Sequence, residues 1–552
     1  MLTIFQARIY SLPPELLQRV FIQHRDTVYA EYDRKQRRSS SKKQSKVKPN
    51  WMTVTHVCHT WRNAALNSAS LWSHIRVEFP SWTKVMLERS KDSLLTVTIS
   101  HGVKSTRKHK DVKDMVSLAL SQHHRLKNLV ISNGDDWVIE HCIECLSGVA
   151  APMLESVVLT ADYPQPCGDL PVEFLDGGAP KLGHLALGNE LPLWTSPLLS
   201  GLTSISMRMI STGRRPGGFR SSSPADFYEA LARMSNLRSA DFGSLFGSEF
   251  LKYKHPQRVH LPHLEDIHLQ GCPETCSALL QNLLFPPSTS LDILVFDQDA
   301  PHYALPAYTA FGSSLIPCRN PASGRTPPRF QAFKIVDKSM EHKPDVTIEA
   351  WYEDVDFCER PLATQDDTKP ASLRIQMSAI KGVLSMFKKV PWQGVHSLSL
   401  DANLRKCEWM VLAKLPTITT IHLPPGRSSD FLEFILSDPA MQGDDEPLKY
   451  FQNLQSINLT TVDFDFKDSH RMALLPSGGF EYHKFLQVLL LRRELELPIK
   501  RLRIFQAYNL FKDDVHALKE VVDDFYWDGM ERERDNSNYY MDYWRRNDVE
   551  FA

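Results

Sequence analysis

Leu154-Glu155-Ser156-Val157-Val158-Leu159 and Leu182-Gly183-His184-Leu185-Ala186-Leu187 share one spacing, with an apolar residue at the first, fourth and sixth positions. Working outward, the spacing recurs upstream at Leu94, Val97, Ile99 and at Leu126, Leu129, Ile131. Downstream it returns at Leu202, Ile205, Met207; Leu237, Ala240, Phe242; Leu264, Ile267, Leu269; Leu291, Leu294, Phe296; and Phe330, Phe333, Ile335. After a gap it resumes with Val395, Leu398, Leu400; Ile418, Ile421, Leu423; Leu454, Ile457, Leu459; and Ile499, Leu502, Ile504. Successive first positions are mostly 20 to 39 residues apart. A fixed motif at such a period marks a supersecondary unit that buries its apolar face only by stacking on its neighbours.

Helical spacing fills the intervals. Val112, Met115, Val116 and Ala119 share one side of 111–122, and Phe227, Leu231 and Met234 one side of 225–234; 378–387 and 431–436 read similarly. Strands alternating with helices predict an α/β fold of parallel strands joined by helical crossovers. The pattern resembles a leucine-rich-repeat solenoid of an irregular, curved kind, because the Asn that usually follows the strand is mostly missing. Two stretches fit no repeat: Pro-rich 300–328, read as a surface loop, and the charged, aromatic tail.

With 552 residues the chain exceeds one compact core. Lys plus Arg is 64 against 65 for Asp plus Glu, a net charge of -1, so no global field draws it to nucleic acid or an anionic membrane. Nine cysteines make no even framework, which points to a reducing compartment, the nucleus or cytoplasm. Arg8 interrupts 1–10, so no signal peptide is expected, and no membrane span is foreseen.

Ahead of the repeats stands Leu12-Pro13-Pro14-Glu15-Leu16-Leu17, a helix start with proline in the first turn and an acid at the positive end of the dipole. Leu16, Leu17, Val20 and Phe21 continue at helical spacing. Residues 34–48 hold eight Lys or Arg, four Ser and no acid, and are read as a disordered basic insertion that could serve nuclear import. Val57-Cys58-His59-Thr60-Trp61-Arg62 and Leu71-Trp72 follow. In order and residue type these blocks resemble the F-box, most nearly that of the large fungal families.

The resemblance implies a substrate receptor of a Skp/cullin/F-box E3 ubiquitin ligase. Residues 8–76 would be the F-box, 77–525 the repeat domain and 526–552 the tail. Leu12, Pro13, Leu16, Val20, Phe21, Val54, Val57, Cys58 and Trp61 would divide between the module's own core and the groove of a Skp-type adaptor, through which a cullin-RING ligase is reached. The insertion should leave docking intact, since loop-closure entropy grows slowly with length. A target protein would be held on the concave face, where the third, fifth and seventh positions point away from the core. Those positions include Arg208, Asp241, Asp266, His268, Gln270, Asp401, His422 and Asn458. A scaffold that never promotes ubiquitination is the competing expectation.

No enzyme is expected: phosphate-cradling, zinc-helix, serine-elbow and dinucleotide motifs are all missing. His141-Cys142-Ile143-Glu144-Cys145 contains one C-x-x-C, but no second pair completes a metal site. No cofactor is foreseen. The basic run has no interleaved aromatics for stacking bases, which argues against a nucleic-acid partner.

Overall fold

The computed structural model describes residues 12–38, 50–77, 80–100, 106–134, 136–161, 168–209, 223–247, 249–295, 311–312, 315, 329–337, 346–355, 357, 371–377, 394–402, 404, 406–423, 428–443, 446–464 and 480–532. The expected loop 300–328, the helix expected at 378–387 and most of the expected tail lie outside or almost outside these residues. The chain is a mixed α/β protein whose sheets are mostly parallel, and it divides into two units, 1–245 and 246–551.

The first unit opens with α1 (Pro14–Arg38), a 3-10 turn (Trp51–His56) and α2 (His59–Asn67). Seven parallel strands of the main sheet follow among the described residues: β1 (His74–Arg76), β2 (Leu95–Ser100), β3 (Leu126–Gly134), β4 (Ser156–Ala161), β5 (His184–Gly188), β6 (Ser204–Arg208) and β7 (Ser239–Gly243). Helices α3 (Pro80–Arg89), α4 (Thr106–Leu120), α5 (Asp136–Leu146) and α6 (Pro224–Arg233) lie between them in sequence. The fourth triplet positions stand side by side across the sheet, Val97 against Leu129, Val157, Leu185, Ile205 and Ala240 in turn. Each is fully or almost fully buried, and each large aliphatic so buried adds about 1.5–3 kcal/mol.

The second unit holds β8 (Asp266–Gly271), α7 (Pro273–Gln281), β9 (Ser290–Val295), β10 (Ala332–Asp337), β11 (Val346–Trp351), β12 (Leu373–Met377), β13 (Ser397–Asp401), α8 (Lys406–Ala413), β14 (Thr420–Leu423), α9 (Ser428–Leu436), β15 (Ser456–Thr460), α10 (Tyr482–Glu494), β16 (Arg501–Phe505), α11 (Lys512–Val521) and β17 (Asp524–Trp527). Its sheet departs from the all-parallel expectation. β9 pairs with β12, β12 with β11 and β11 with β10, before β10 pairs with β13. β11 is antiparallel to both neighbours. The gap after Phe330, Phe333, Ile335 is therefore two further strands, inserted out of chain order.

Eleven of the thirteen triplets are buried throughout their described positions. At the first, Leu94 is exposed and Leu95 is buried in its place, beside a register irregularity at Leu95/Thr96. The other exception is Leu291, Leu294, Phe296. Leu291 and Ile293 align with Ile267 and Leu269, so Leu294 points to the opposite face and is half-buried. An unbroken apolar run fits two registers, and strand pairing decides between them.

Ahead of several strands the preceding residue already joins the ladder: Glu155 N–H donates to Lys127 O, Thr203 N–H to Gly183 O, Gln455 N–H to Thr419 O and Lys500 N–H to Gln455 O, at 2.8–2.9 Å. Two buried arginines reach back to the turn of the preceding repeat. Arg125 donates to Ser93 O and Leu87 O, and Arg492 to Phe451 O and Leu454 O. Burial lowers the Arg492 pKa to about 10, which leaves it charged at neutral pH.

Candidate functional site

Two apolar stripes run along α1. Leu17, Phe21, Arg25 and Tyr29, four residues apart, are buried. Leu12, Leu16 and Val20, also four apart, begin just ahead of the helix and are 36%, 44% and 52% exposed. Residues at i and i+4 share a helix face, so the inner stripe meets the core while the outer one meets solvent. Pro13 is exposed, and its carbonyl accepts from Leu16 N–H and Leu17 N–H. Helix α1 also continues through Arg38, so 34–38, expected in the disordered insertion, is helical; 39–49 lie outside the described residues.

The inner stripe is held by aromatics. Trp51 Nε1–H donates to the Tyr29 hydroxyl at 2.9 Å, Trp72 Nε1–H donates to Ala65 O at 2.9 Å, and the Trp51 and Trp72 rings meet edge to face at 5.3 Å. Phe21 and Val54, two of the residues expected to share in docking, sit inside this core. Their burial removes them from the surface. Val57 is 55% exposed, and Cys58 and Trp61 are half-buried. Cys58 caps α2 by accepting from Trp61 N–H, while the Trp61 ring packs 5.0 Å from Phe21. Leu12, Leu16, Val20 and Val57 thus stand exposed on elements whose other faces are packed together.

A polar latch ties α1 to the 3-10 turn Ala69–Trp72 and to β1. Arg25 donates to Ser70 O and Leu71 O, and Arg76 donates twice to Asp33 while lying 5.0 and 5.1 Å from the Tyr29 and Tyr32 rings. His74 Nε2 is 3.1 Å from the Thr98 hydroxyl, and its Nδ1 faces Asp26. Burial pushes the His74 pKa down, against the pull of Asp26, so the ring is neutral at pH 7. The neighbouring His74 and then Arg25 in turn lower the Asp26 pKa, against its burial.

The outward strand positions separate into open and closed groups. Arg208 is exposed and donates to Asp241 at 2.7 Å, where Ser206 also donates. Asp266 is exposed, Gln270 and Asp401 are half-buried, and half-buried His268 faces Asp292 at 3.4 Å. His422 and Asn458 are buried, contrary to their expected place on an open face. His422 bridges the Ser399 and Thr460 hydroxyls at 3.0 and 2.9 Å, under the stacked ring of Phe357. Buried polar groups persist where they find partners, and those of His422 come from the adjacent strands.

In register with His268 and His422 run Asp292, Arg374, Glu349, Lys334 and Ser399, one from each intervening strand. Arg374 donates to Glu349 at 2.7 Å. Glu349 and Arg374 fall outside the triplet pattern because β11 and β12 carry plain apolar/polar alternation, Val-Thr-Ile-Glu-Ala and Leu-Arg-Ile-Gln-Met, which is the available signal. Among the described residues no cluster of His, Cys, Asp and Glu could hold a metal ion, and no helix is long and apolar enough to cross a membrane.

No protein-family model matches this chain, and no curated protein matches its sequence.

Proposed function

We propose that the chain is a substrate receptor of a Skp/cullin/F-box ubiquitin ligase, with 8–76 as the adaptor-docking F-box and the strand–helix repeats as a leucine-rich-repeat-like receptor for a target protein. The observation that carries this reading is the second apolar stripe of α1. Leu12, Leu16 and Val20 remain in water although the same helix has a complete core of its own, and Val57 adds to them. Such a surface gains stability from a partner that covers it.

The F-box-like order of the sequence names the partner class, a Skp-type adaptor leading to a cullin. On this reading catalysis is by proximity: a target lysine held beside a recruited ubiquitin thioester reacts as if the encounter were unimolecular. The reading places the complex in the nucleus or cytoplasm. On this reading the target is a protein, and each unit offers it open outward positions of its own, Arg208 and Asp241 in the first and Asp266, His268 and Gln270 in the second.

The test is calorimetric titration of the full chain with a Skp-type adaptor. Replacing Leu16 and Val20 together by Ala should cost about 2 kcal/mol, roughly a 30-fold rise in Kd. Unchanged affinity, or no binding by the wild type, would sink the assignment and leave a scaffold protein.

A further inference from the structure

Helices α4 and α5 meet at a group of side chains that the docking function does not use. Ser117 Oγ on α4 lies 2.8 Å from His141 Nε2 on α5. On its other side, His141 Nδ1 lies 3.2 Å from Glu144 Oε2. Cys145 Sγ is 3.6 Å from the same His141 Nε2 and 3.8 Å from Ser117 Oγ. One helix turn spaces His141, Glu144 and Cys145, so α5 alone supplies thiol, imidazole and carboxylate.

The carboxylate fixes the tautomer. Glu144 has only acceptors to offer, so Nδ1 carries the ring proton and Nε2 keeps its lone pair toward the serine and the thiol. A base turned toward a nucleophile and oriented by a third group is the arrangement that activates weak nucleophiles. Cys145 is half-buried, within reach of a small reagent. Its neighbour Cys142 is wholly buried, and burial pushes that thiol's pKa up, so the two cysteines of one helix have opposite prospects.

We propose that Cys145 is a modification site for soft carbon electrophiles of the α,β-unsaturated carbonyl class, with His141 as its proton acceptor and Glu144 as the residue that positions His141. In the reaction the sulfur forms an S–C bond at the β-carbon, and the carbon–carbon π pair moves to give an enolate. The thiol proton passes to His141 Nε2, and the imidazolium returns it to the α-carbon, so no oxidant or other reactant is consumed. The imidazolium formed on the way is paired with the Glu144 carboxylate. The adduct occupies the space beside Ser117, so modification also perturbs the contact between α4 and α5.

The test treats the folded full chain with acrylamide at pH 7 and follows each cysteine by mass spectrometry, with the exposed Cys407 as the accessibility reference. Cys145 should react at least about ten-fold faster than Cys407, a small part of what a positioned base supplies, while Cys142 stays unmodified. His141→Asn and Glu144→Gln should each bring Cys145 below Cys407 without altering the Cys407 rate. Glu144→Asp, which keeps a carboxylate, should retain a rate above that of Glu144→Gln. A wild-type Cys145 no faster than Cys407 overturns the proposal whatever the variants do, and so does a Cys145 rate indifferent to the change at exposed Glu144.

Discussion

Arg76, buried on β1, holds Asp33 on α1 through two hydrogen bonds of 2.8 and 3.2 Å. The N-terminal helices are thereby one body with the first strands, and the exposed stripe of α1 has a fixed direction relative to the β1–β7 face. Asp33→Asn should lower stability by about 2 kcal/mol, a buried-pair cost discounted because Asp33 is about a third exposed. Urea unfolding of the full chain reads it, and a loss below about 0.5 kcal/mol would mean that water serves Arg76 as well as the carboxylate does.

Adjacent leucines should behave oppositely. Leu17→Ala opens a cavity under α1 and should cost about 2–5 kcal/mol. Leu16→Ala should stay within about 0.5 kcal/mol of wild type while adaptor affinity falls. Equal destabilisation by both changes in thermal melts would show the outer stripe to be core.

Acid should loosen the junction between α1 and β1. In the folded chain His74 resists protonation because it is buried, with Arg25 and Arg76 adding like charge and Asp26 opposing. The unfolded imidazole takes its proton near the ordinary value of 6.5. Between that value and the lower folded one, the unfolded state binds more protons, so stability is whole above about 6.5 and falls as pH drops below it. His74→Gln should flatten the difference in urea midpoint between pH 7.5 and 5.5; a slope unchanged from wild type would place the acid sensitivity elsewhere.

His422 is a structural residue by its surroundings. His422→Ala should cost about 1–3 kcal/mol by leaving the Ser399 and Thr460 hydroxyls without their shared partner in a buried place. Gln270→Ala, at a half-buried outward position, should stay within about 0.5 kcal/mol. The contrast is measured by chemical denaturation, and reversed sizes would return His422 to the list of target contacts.

The triplets were legible because a strand buried on one face repeats its apolar parity wherever it stacks: Val97, Leu129, Val157 and Leu185 were all expected in the core, and all are there. Two strands escaped. β11 and β12 alternate cleanly, but no first-position residue precedes them at the right distance, and nothing local announces that β11 runs backwards. Strand direction is decided by long-range pairing, which spacing does not encode. The same limit explains Leu294, where an apolar run offered two registers. In α1 the sequence reads Leu16, Leu17, Val20 and Phe21 as one apolar face, whereas Leu17 and Phe21 are buried and Leu16 and Val20 exposed; which of them face inward depends on Trp51, Trp72 and Tyr29, residues far along the chain or outside the motif. His422 and Asn458 were placed outward by parity, correctly, yet parity says nothing of what lies over them.

The inserted strands have a consequence for how the molecule is made. In the first unit each of β2 to β7 pairs with the labelled strand before it, so that sheet can lengthen as the chain emerges from the ribosome, each repeat templating the next. In the second unit that growth halts at β9. Its partner β12 begins only at Leu373, after β10 and β11, and β13 joins β10 rather than β12. Contacts of such sequence separation form late, because the chain between them must first be closed into a loop. One edge of β9 therefore stays open until the chain has been made as far as β12.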